Sequence, residues 1–220
     1  LLFLTPLFAT LPEAVLAALI IHALWHILAS RKLYRLRQAS KAEFWFGVLA
    51  LGGVLLIDVL QGMVIGLVGS LLFVIYRSSR PHIASLGRVP GVPGAYSDLG
   101  RHPDNQPVPG VLIVRIDAQI YYANVNTVRD HIKALIAGME APPKALIIDM
   151  GAQDAIDLTS REVTRSLIKE LQQKDIAIYL ADVHAPLIEM AKKDEIIPTI
   201  GEDHVFPSVD AAVRAIEAAS

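Results

Sequence analysis

Long apolar runs fill the first 80 residues and are missing from the rest of the chain. Pro6 and Pro12 interrupt the opening run. Glu13 stands where a new helix would begin, and its carboxylate complements the positive end of that helix. Ala14 to Ala29 is then apolar apart from its histidines, and with its flanks approaches the roughly 20 residues that cross a bilayer. A basic cluster follows, Arg31, Lys32, Arg35, Arg37 and Lys41. Phe44 to Tyr76 is apolar again, with Asp58, Gln61 and several glycines near its middle, and Arg77 and Arg80 close it. As one helix that run would be about 50 Å long, well beyond a hydrocarbon core of about 30 Å. It would also put its two basic flanks on opposite sides. A hairpin turning near Asp58–Gly62 puts both on one side, as the positive-inside rule prefers. Gly62, Gly66 and Ser70 recur every four residues, a spacing of small side chains that lets two membrane helices approach closely.

From residue 81 the pattern changes. Pro81 to Pro109 holds six prolines and four glycines, has no helical period, and reads as a connecting segment. Beyond it, short apolar runs alternate with amphipathic ones. Val111–Ile116 and Gln119–Tyr122 read as strands, and Asn124 and Asn126 as helix starters ahead of an apolar face at Val125, Val128, Ile132, Leu135 and Ile136. Lys144–Asp149 and Ile176–Ala181 are continuous apolar strands of the buried parallel kind. Thr159–Lys174 and Pro186–Lys193 read as helices, His204–Phe206 as a last strand, and Ser208 as the cap of a final helix facing inward through Val209, Val213 and Ile216. Helices following strands predict an α/β domain with a sheet covered by helices.

Charge divides the chain in the same place. Residues 1–80 hold seven Lys/Arg and three Asp/Glu, a net of +4, and residues 81–220 hold thirteen and nineteen, a net of −6, which together give the overall −2. With 53% hydrophobic and 19% charged residues, the composition excludes a disordered chain and argues against a wholly soluble one. The net charge gives no support for nucleic-acid binding. There is no cysteine, so disulfides, thiolate metal sites and a Cys nucleophile are excluded. No glycine-rich phosphate loop and no Gly-x-Ser-x-Gly elbow follows any strand. His22 and His26 share a helix face but lack further ligands, and His184 and His204 have no nucleophile to serve. No catalytic residue, cofactor or metal is assigned. The chain opens with Leu1 and an apolar stretch, without the charged start of a secretory signal peptide, and is expected to be the C-terminal piece of a longer protein.

Several stretches carry a resemblance. Leu4-Thr5-Pro6-Leu7 with Leu11-Pro12-Glu13-Ala14-Val15-Leu16, the run Gly62 to Leu72, and the segment Arg80-Pro81-His82, Leu86-Gly87-Arg88-Val89-Pro90-Gly91, Tyr96-Ser97-Asp98 and His102-Pro103 resemble the sulfate permease (SulP) family, related to the animal SLC26 anion exchangers. The downstream part resembles a STAS domain through Ile156-Asp157-Leu158-Thr159-Ser160. The resemblance implies transmembrane helices over 1–80, from the end of the gate domain of an inverted-repeat transporter. It further implies a linker over 81–109 and an α/β STAS domain, a mixed sheet with helices, over 110–220. It implies a multi-pass protein of the cell membrane with a cytoplasmic STAS domain, a homodimer, and cytoplasmic protein partners. The cargo would be sulfate or a similar inorganic anion, bound upstream of these residues.

The Asp157–Ser160 loop has two readings. By resemblance, Thr159 occupies the position of a phosphorylatable hydroxyl, although Ser160 stands where the family motif often has glycine. A phosphate there would add about −1.5 to −2 charge at a helix N-terminus able to receive it. By local chemistry, Thr159 and Glu162 form a capping box that alone accounts for both residues. Asp149, Asp154 and Asp157 gather near a strand end, where carboxylates attract a divalent cation or are simply solvated. The expected function is part of a secondary anion transporter regulated by its STAS domain. The alternatives are a membrane-tethered STAS signalling module and, against the missing phosphate loop, a membrane-anchored flavodoxin-like enzyme.

Overall fold

The computed structural model describes residues 13–27, 38, 40–194 and 196–219. The expectations for Leu1 to Pro12 and for Arg31 to Arg37 lie outside the described residues, as does the side chain of His26 in the proposed pair with His22. The chain divides into two compact units, 1–74 and 75–220.

In the first unit, helix α1 covers Glu13–Ile27 and α2 Lys41–Leu56, while α3, Val59–Ser78, runs on into the second. Ser40 starts α2, its hydroxyl accepting the Glu43 N–H. The apolar run from Phe44 is broken at Ile57–Asp58: Ile57 has φ −117° and ψ −81°, and the Asp58 carbonyl accepts the Gly62 N–H as the first bond of α3. The turn thus comes slightly earlier than the Asp58–Gly62 expected, and Gly62 is helical. The second arm has 20 residues, about 30 Å, enough to cross a bilayer.

The two arms run antiparallel. A Cβ on Gly62 would lie 2.2 Å from the Val54 nitrogen, and one on Gly66 would lie 2.6 Å from the Ala50 Cβ. Only glycine allows that backbone contact. Phe46 packs on Phe73 with ring centroids 5.2 Å apart. The stripe of small residues does not continue to Ser70, which is exposed and donates to the Leu67 carbonyl. Gly69 takes that place, beside Phe46. At about 100° per residue, Gly69 lies about 20° from the direction of Gly62 and Ser70 about 80° away. Most of the remaining hairpin surface is hydrocarbon, with Leu55 75% and Leu56 87% exposed.

The second unit is a six-stranded mixed sheet in the order β2-β1-β3-β4-β5-β6. Strands β1 (Ile83–Arg88), β2 (Tyr96–Asp98) and β3 (Val111–Ile116) are antiparallel neighbours. Strands β4 (Ala145–Asp149), β5 (Ala177–Ala181) and β6 (Val205–Phe206) follow β3 in parallel. Helices α4 (Val125–Ala137), α5 (Leu158–Gln172), α6 (Ala185–Lys193) and α7 (Ile196–Ile200) cover one face, against Leu112, Val114, Leu146, Ile148 and Ile178. Helix α8 (Val209–Ala219) covers the other through Ala212 and Val213, against Val111, Ile113, Ala145 and Ile147. Ser208 caps it, its Oγ accepting the Ala211 N–H at 3.2 Å.

Two expectations are corrected. Residues 81–109 are not a plain connecting segment, since β1 and β2 lie within them and Ala84, Leu86 and Val108 are buried. Their prolines fall outside the strands, at Pro81 ahead of β1, in the 89–95 turn and in the stretch from 103 to 109, so the composition hid the sheet. Gly87 lets the chain at Gln106 lie on β1, where a Cβ would meet the Gln106 carbonyl oxygen at 2.9 Å. Gln119–Tyr122 is not a strand but a loop held by side chains.

Two outcomes test this packing. Ile147→Ala empties a wholly buried site between the layers and should cost about 2–5 kcal/mol in denaturant unfolding. The Cys-free chain also allows a clean crosslink: with cysteines in place of Phe46 and Phe73, crosslinking should be efficient, and adding Gly62→Leu should abolish it.

Candidate functional site

The parallel strands end at Ile116, Asp149 and Ala181, and their outgoing loops meet at one edge of the sheet. Such an edge is where ligands gather in α/β folds. Here it is organised by three side chains. Gln153 is wholly buried: its Nε2 donates to the Ala118 carbonyl at 2.8 Å, and its Oε1 accepts the Ile120 N–H at 2.8 Å. Asn124 is also wholly buried. Its Oδ1 accepts the Tyr121 N–H at 2.9 Å, and its Nδ2 donates to the carbonyls of Gln119 at 2.8 Å and Ser78 at 3.3 Å. Asp157 completes the set. Its Oδ1 accepts the Ser160 N–H at 3.0 Å, and its Oδ2 accepts the Tyr122 N–H at 2.8 Å and the Ser160 hydroxyl at 3.0 Å.

Asp157, with extended backbone, is therefore the N-cap of α5. The expected capping box on Thr159 and Glu162 is not formed. The helix begins at Leu158, which places Thr159 inside its first turn, and the capping bond runs from the Ser160 N–H to the Asp157 carboxylate instead of from the Glu162 N–H to the Thr159 hydroxyl. Thr159 is exposed, whereas Ser160 is wholly buried with its hydroxyl committed to Asp157. Beside them Tyr122 is 69% and Leu158 64% exposed, two large apolar side chains at the mouth of the loop.

The carboxylates differ in environment. Burial pushes Asp157 up, but the bonds from Ser160, Tyr122 and Thr159 outweigh it and hold the group below the ordinary aspartate range. Asp149 is raised, chiefly by burial and also by the charge of Asp182, against a lowering bond from the Gly151 N–H. Asp154 accepts from the Gln119 side chain at 3.0 Å. These three aspartates thus have separate partners, and the described residues contain no cluster of three His, Cys, Asp or Glu fit to hold a metal. His184 meets the Gly151 carbonyl at 3.1 Å, and His204 meets the Ile178 carbonyl at 2.9 Å while stacking on Tyr179. Farther along α5, Arg161 pairs with Asp194 at 2.5 Å and Arg165 donates to the Asp194 carbonyl. Asp58, Gly62, Gly66 and Ser70 belong to the helical hairpin and are not part of this edge. The sequence marked Asp157, Thr159 and Ser160 but missed Gln153. Asn124 drew notice only as a helix starter, yet its amide makes no cap bond and turns back onto the loop.

Asp157→Ala should remove the cap at a cost of about 1 kcal/mol and also leave the Tyr122 N–H without its partner. Asp98, bonded to His82 at 3.0 Å, is likewise held low, first by that hydrogen bond. For both groups the folded-state pKa lies below the unfolded one. Their stabilisation is complete above an unfolded value of about 4 and drains away as pH falls through the folded value. Thermal unfolding followed down through that range should show a shallower acid loss for Asp157→Asn than for the wild type.

The comparisons with known proteins agree on the family. Residues 102–212 match the STAS domain, and residues 1–50 match the sulfate permease family. Sulfate transporter 1.3 of Arabidopsis thaliana is 33% identical over 221 residues, covering 97% of this chain and 34% of that protein. High affinity sulfate transporter 2 of Stylosanthes hamata is 30% identical over 221 residues, covering 97% of this chain and 33% of that protein. The chain thus spans about a third of the length of the curated relatives it matches. Among solved structures, SLC26A9 superposes with a TM-score of 0.79 at 21% identity, over 96% of this chain and 36% of that one. The murine Slc26a9 anion transporter in the inward-facing state gives 0.77 at 24% identity, over 94% and 34%. With both family matches in place and relatives at 30–33% identity along nearly the whole chain, the chain belongs to the sulfate permease family, with a STAS domain over residues 102–212.

Proposed function

We propose that the chain is the carboxy-terminal part of a secondary transporter for sulfate or a similar inorganic anion, with the STAS domain as its regulatory and assembly module. One observation carries the reading: a tight helical hairpin with mostly hydrocarbon outside is continuous in sequence with the mixed sheet. A bilayer is the solvent that such a surface fits. Arg77 and Arg80 close α3, and the Arg80 guanidinium lies 4.7 Å from the centre of the Tyr76 ring, an interfacial anchor. Basic residues at that end support a multi-pass protein of the cell membrane with its STAS domain in the cytoplasm. The relatives' names, sulfate transporters, support the cargo. The chain has no assigned catalytic step, and its partners in this reading are the lipid bilayer, a second copy and cytoplasmic proteins.

The regulatory element in this proposal is the loop Asp157, Thr159 and Ser160. Thr159 offers an exposed hydroxyl in the first turn of α5, where added negative charge is tolerated by the helix dipole.

Full-length protein in cells lacking sulfate uptake should restore saturable uptake of radiolabelled sulfate; absence of uptake for sulfate and for other small oxyanions would overturn the transport reading. Thr159→Glu and Thr159→Ala should both fold with wild-type stability, since the side chain is exposed, yet differ from each other in uptake rate. Equal rates at equal surface expression would remove Thr159 from the regulatory role.

A further inference from the structure

The loop 117–124 is fastened to the chain leaving α3 at both of its ends. At one end the Asp117 N–H donates to the His82 carbonyl at 3.0 Å. At the other, Asn124 Nδ2 donates to the carbonyl of Ser78, the last residue of α3. Residues 79–82, which join α3 to β1, are thus bracketed by bonds from one loop. The Ser78 carbonyl is among the last four of its helix, which have no partner within it.

The same loop is fastened to the start of α5. Tyr122 N–H donates to Asp157 Oδ2, the oxygen that also receives the Ser160 hydroxyl. A continuous path therefore runs from Ser160 through Asp157, the Tyr122 and Tyr121 amides and Asn124 to the end of α3. Two side chains on it, Asn124 and Ser160, are wholly buried, while Ser78 and Tyr122 are exposed. A bond lost by either buried side chain is not replaced by one to water, so that loss is passed on to its partners.

We propose that loop 117–124 is a coupling element, and that Asn124 is the positioning residue by which the state of the Asp157–Ser160 cap reaches the connection between α3 and the sheet. A charge placed on Thr159, or a partner docking on the exposed Tyr122 and Leu158, acts on the Asp157–Tyr122 bond and so on the grip on residues 79–82. The regulatory meaning of this coupling rests on the reading of the 157–160 loop proposed above. Its existence does not.

Amide hydrogen exchange on the full-length protein in lipid nanodiscs tests it. Asp157→Asn keeps a good cap for α5 but turns an N–H group toward the Tyr122 amide, cutting that bond, while the Ser160 hydroxyl that shares the oxygen can turn and accept instead of donating. It should speed exchange at Ser79 and Arg80 about fivefold, the equivalent of one neutral hydrogen bond. In an Asn124→Ala background the same change should add nothing at those amides, the non-additivity expected of residues on one network. Protection in β4 reports whether the domain stays folded. If Asn124→Ala loses it, Asn124→Asp, which removes both donors and keeps the acceptor for Tyr121, is read instead. Faster exchange confined to Tyr122, with Ser79 and Arg80 unchanged, overturns the proposal. So does an effect at Ser79 and Arg80 of equal size with and without Asn124. Failure of sulfate uptake would overturn the transport reading and leave this result untouched.

Discussion

Strands β3, β4 and β5 are apolar on both faces, and neither face can be left to water. That constraint organises the domain. Val114 and Leu146 need the layer of α4 to α7, while Ile113 and Ile147 need α8 on the other side. The parallel register of the three strands then brings all their outgoing loops to one edge. The loops cannot pair as a sheet there. Buried side-chain amides do the work of a ladder instead: Gln153 and Asn124 satisfy the backbone between Ala118 and Tyr121. Removing water from these groups makes each bond costly to break, so the loop has a defined shape without secondary structure.

The hairpin obeys a different rule. Hydrocarbon against hydrocarbon gives no preference for one helix face over another, so close contact has to come from shape. Gly62 and Gly66 supply it, letting α3 sit against the backbone of α2 at Val54 and the methyl of Ala50. The outward face is mostly Leu, Ile and Val, interrupted by Gln61 and Ser70 of α3, which suits lipid or further helices equally. The charged residues are confined to the ends, at Lys41 and Glu43 in the first turn of α2 and at Arg77 and Arg80 after the apolar run of α3, with Asp58 at the turn.

Asp157 joins the two themes of cap and loop. A carboxylate presents two oxygens with about four acceptor sites, so one oxygen serves the first turn of the helix while the other serves a neighbouring backbone amide. That dual use explains why Ser160, in the place where the family motif often has glycine, is compatible with the fold. Its hydroxyl is buried and returns a bond to the cap. The hydroxyl left accessible is that of Thr159, one residue earlier.

Periodicity and charge along the chain were enough to separate the apolar segment from the α/β part and to place β3, β4, β5, α4, α5 and α8 within a few residues. Those elements bury continuous or regularly spaced side chains, and such spacing is a local property. The length of the run from Phe44 likewise required a break, because a helix of that length does not match a bilayer. What the sequence could not contain was any pairing between distant residues. β1 and β2 exist because Val108 and Gln106 fold back onto Leu86 and Gly87, a contact invisible in a stretch rich in proline. Gly69 replaces Ser70 in the hairpin because helical rotation, not a count of four, decides which face meets α2. Asn124 and Gln153 become structural only once the sheet edge closes over them and takes away the water that would otherwise satisfy their amides.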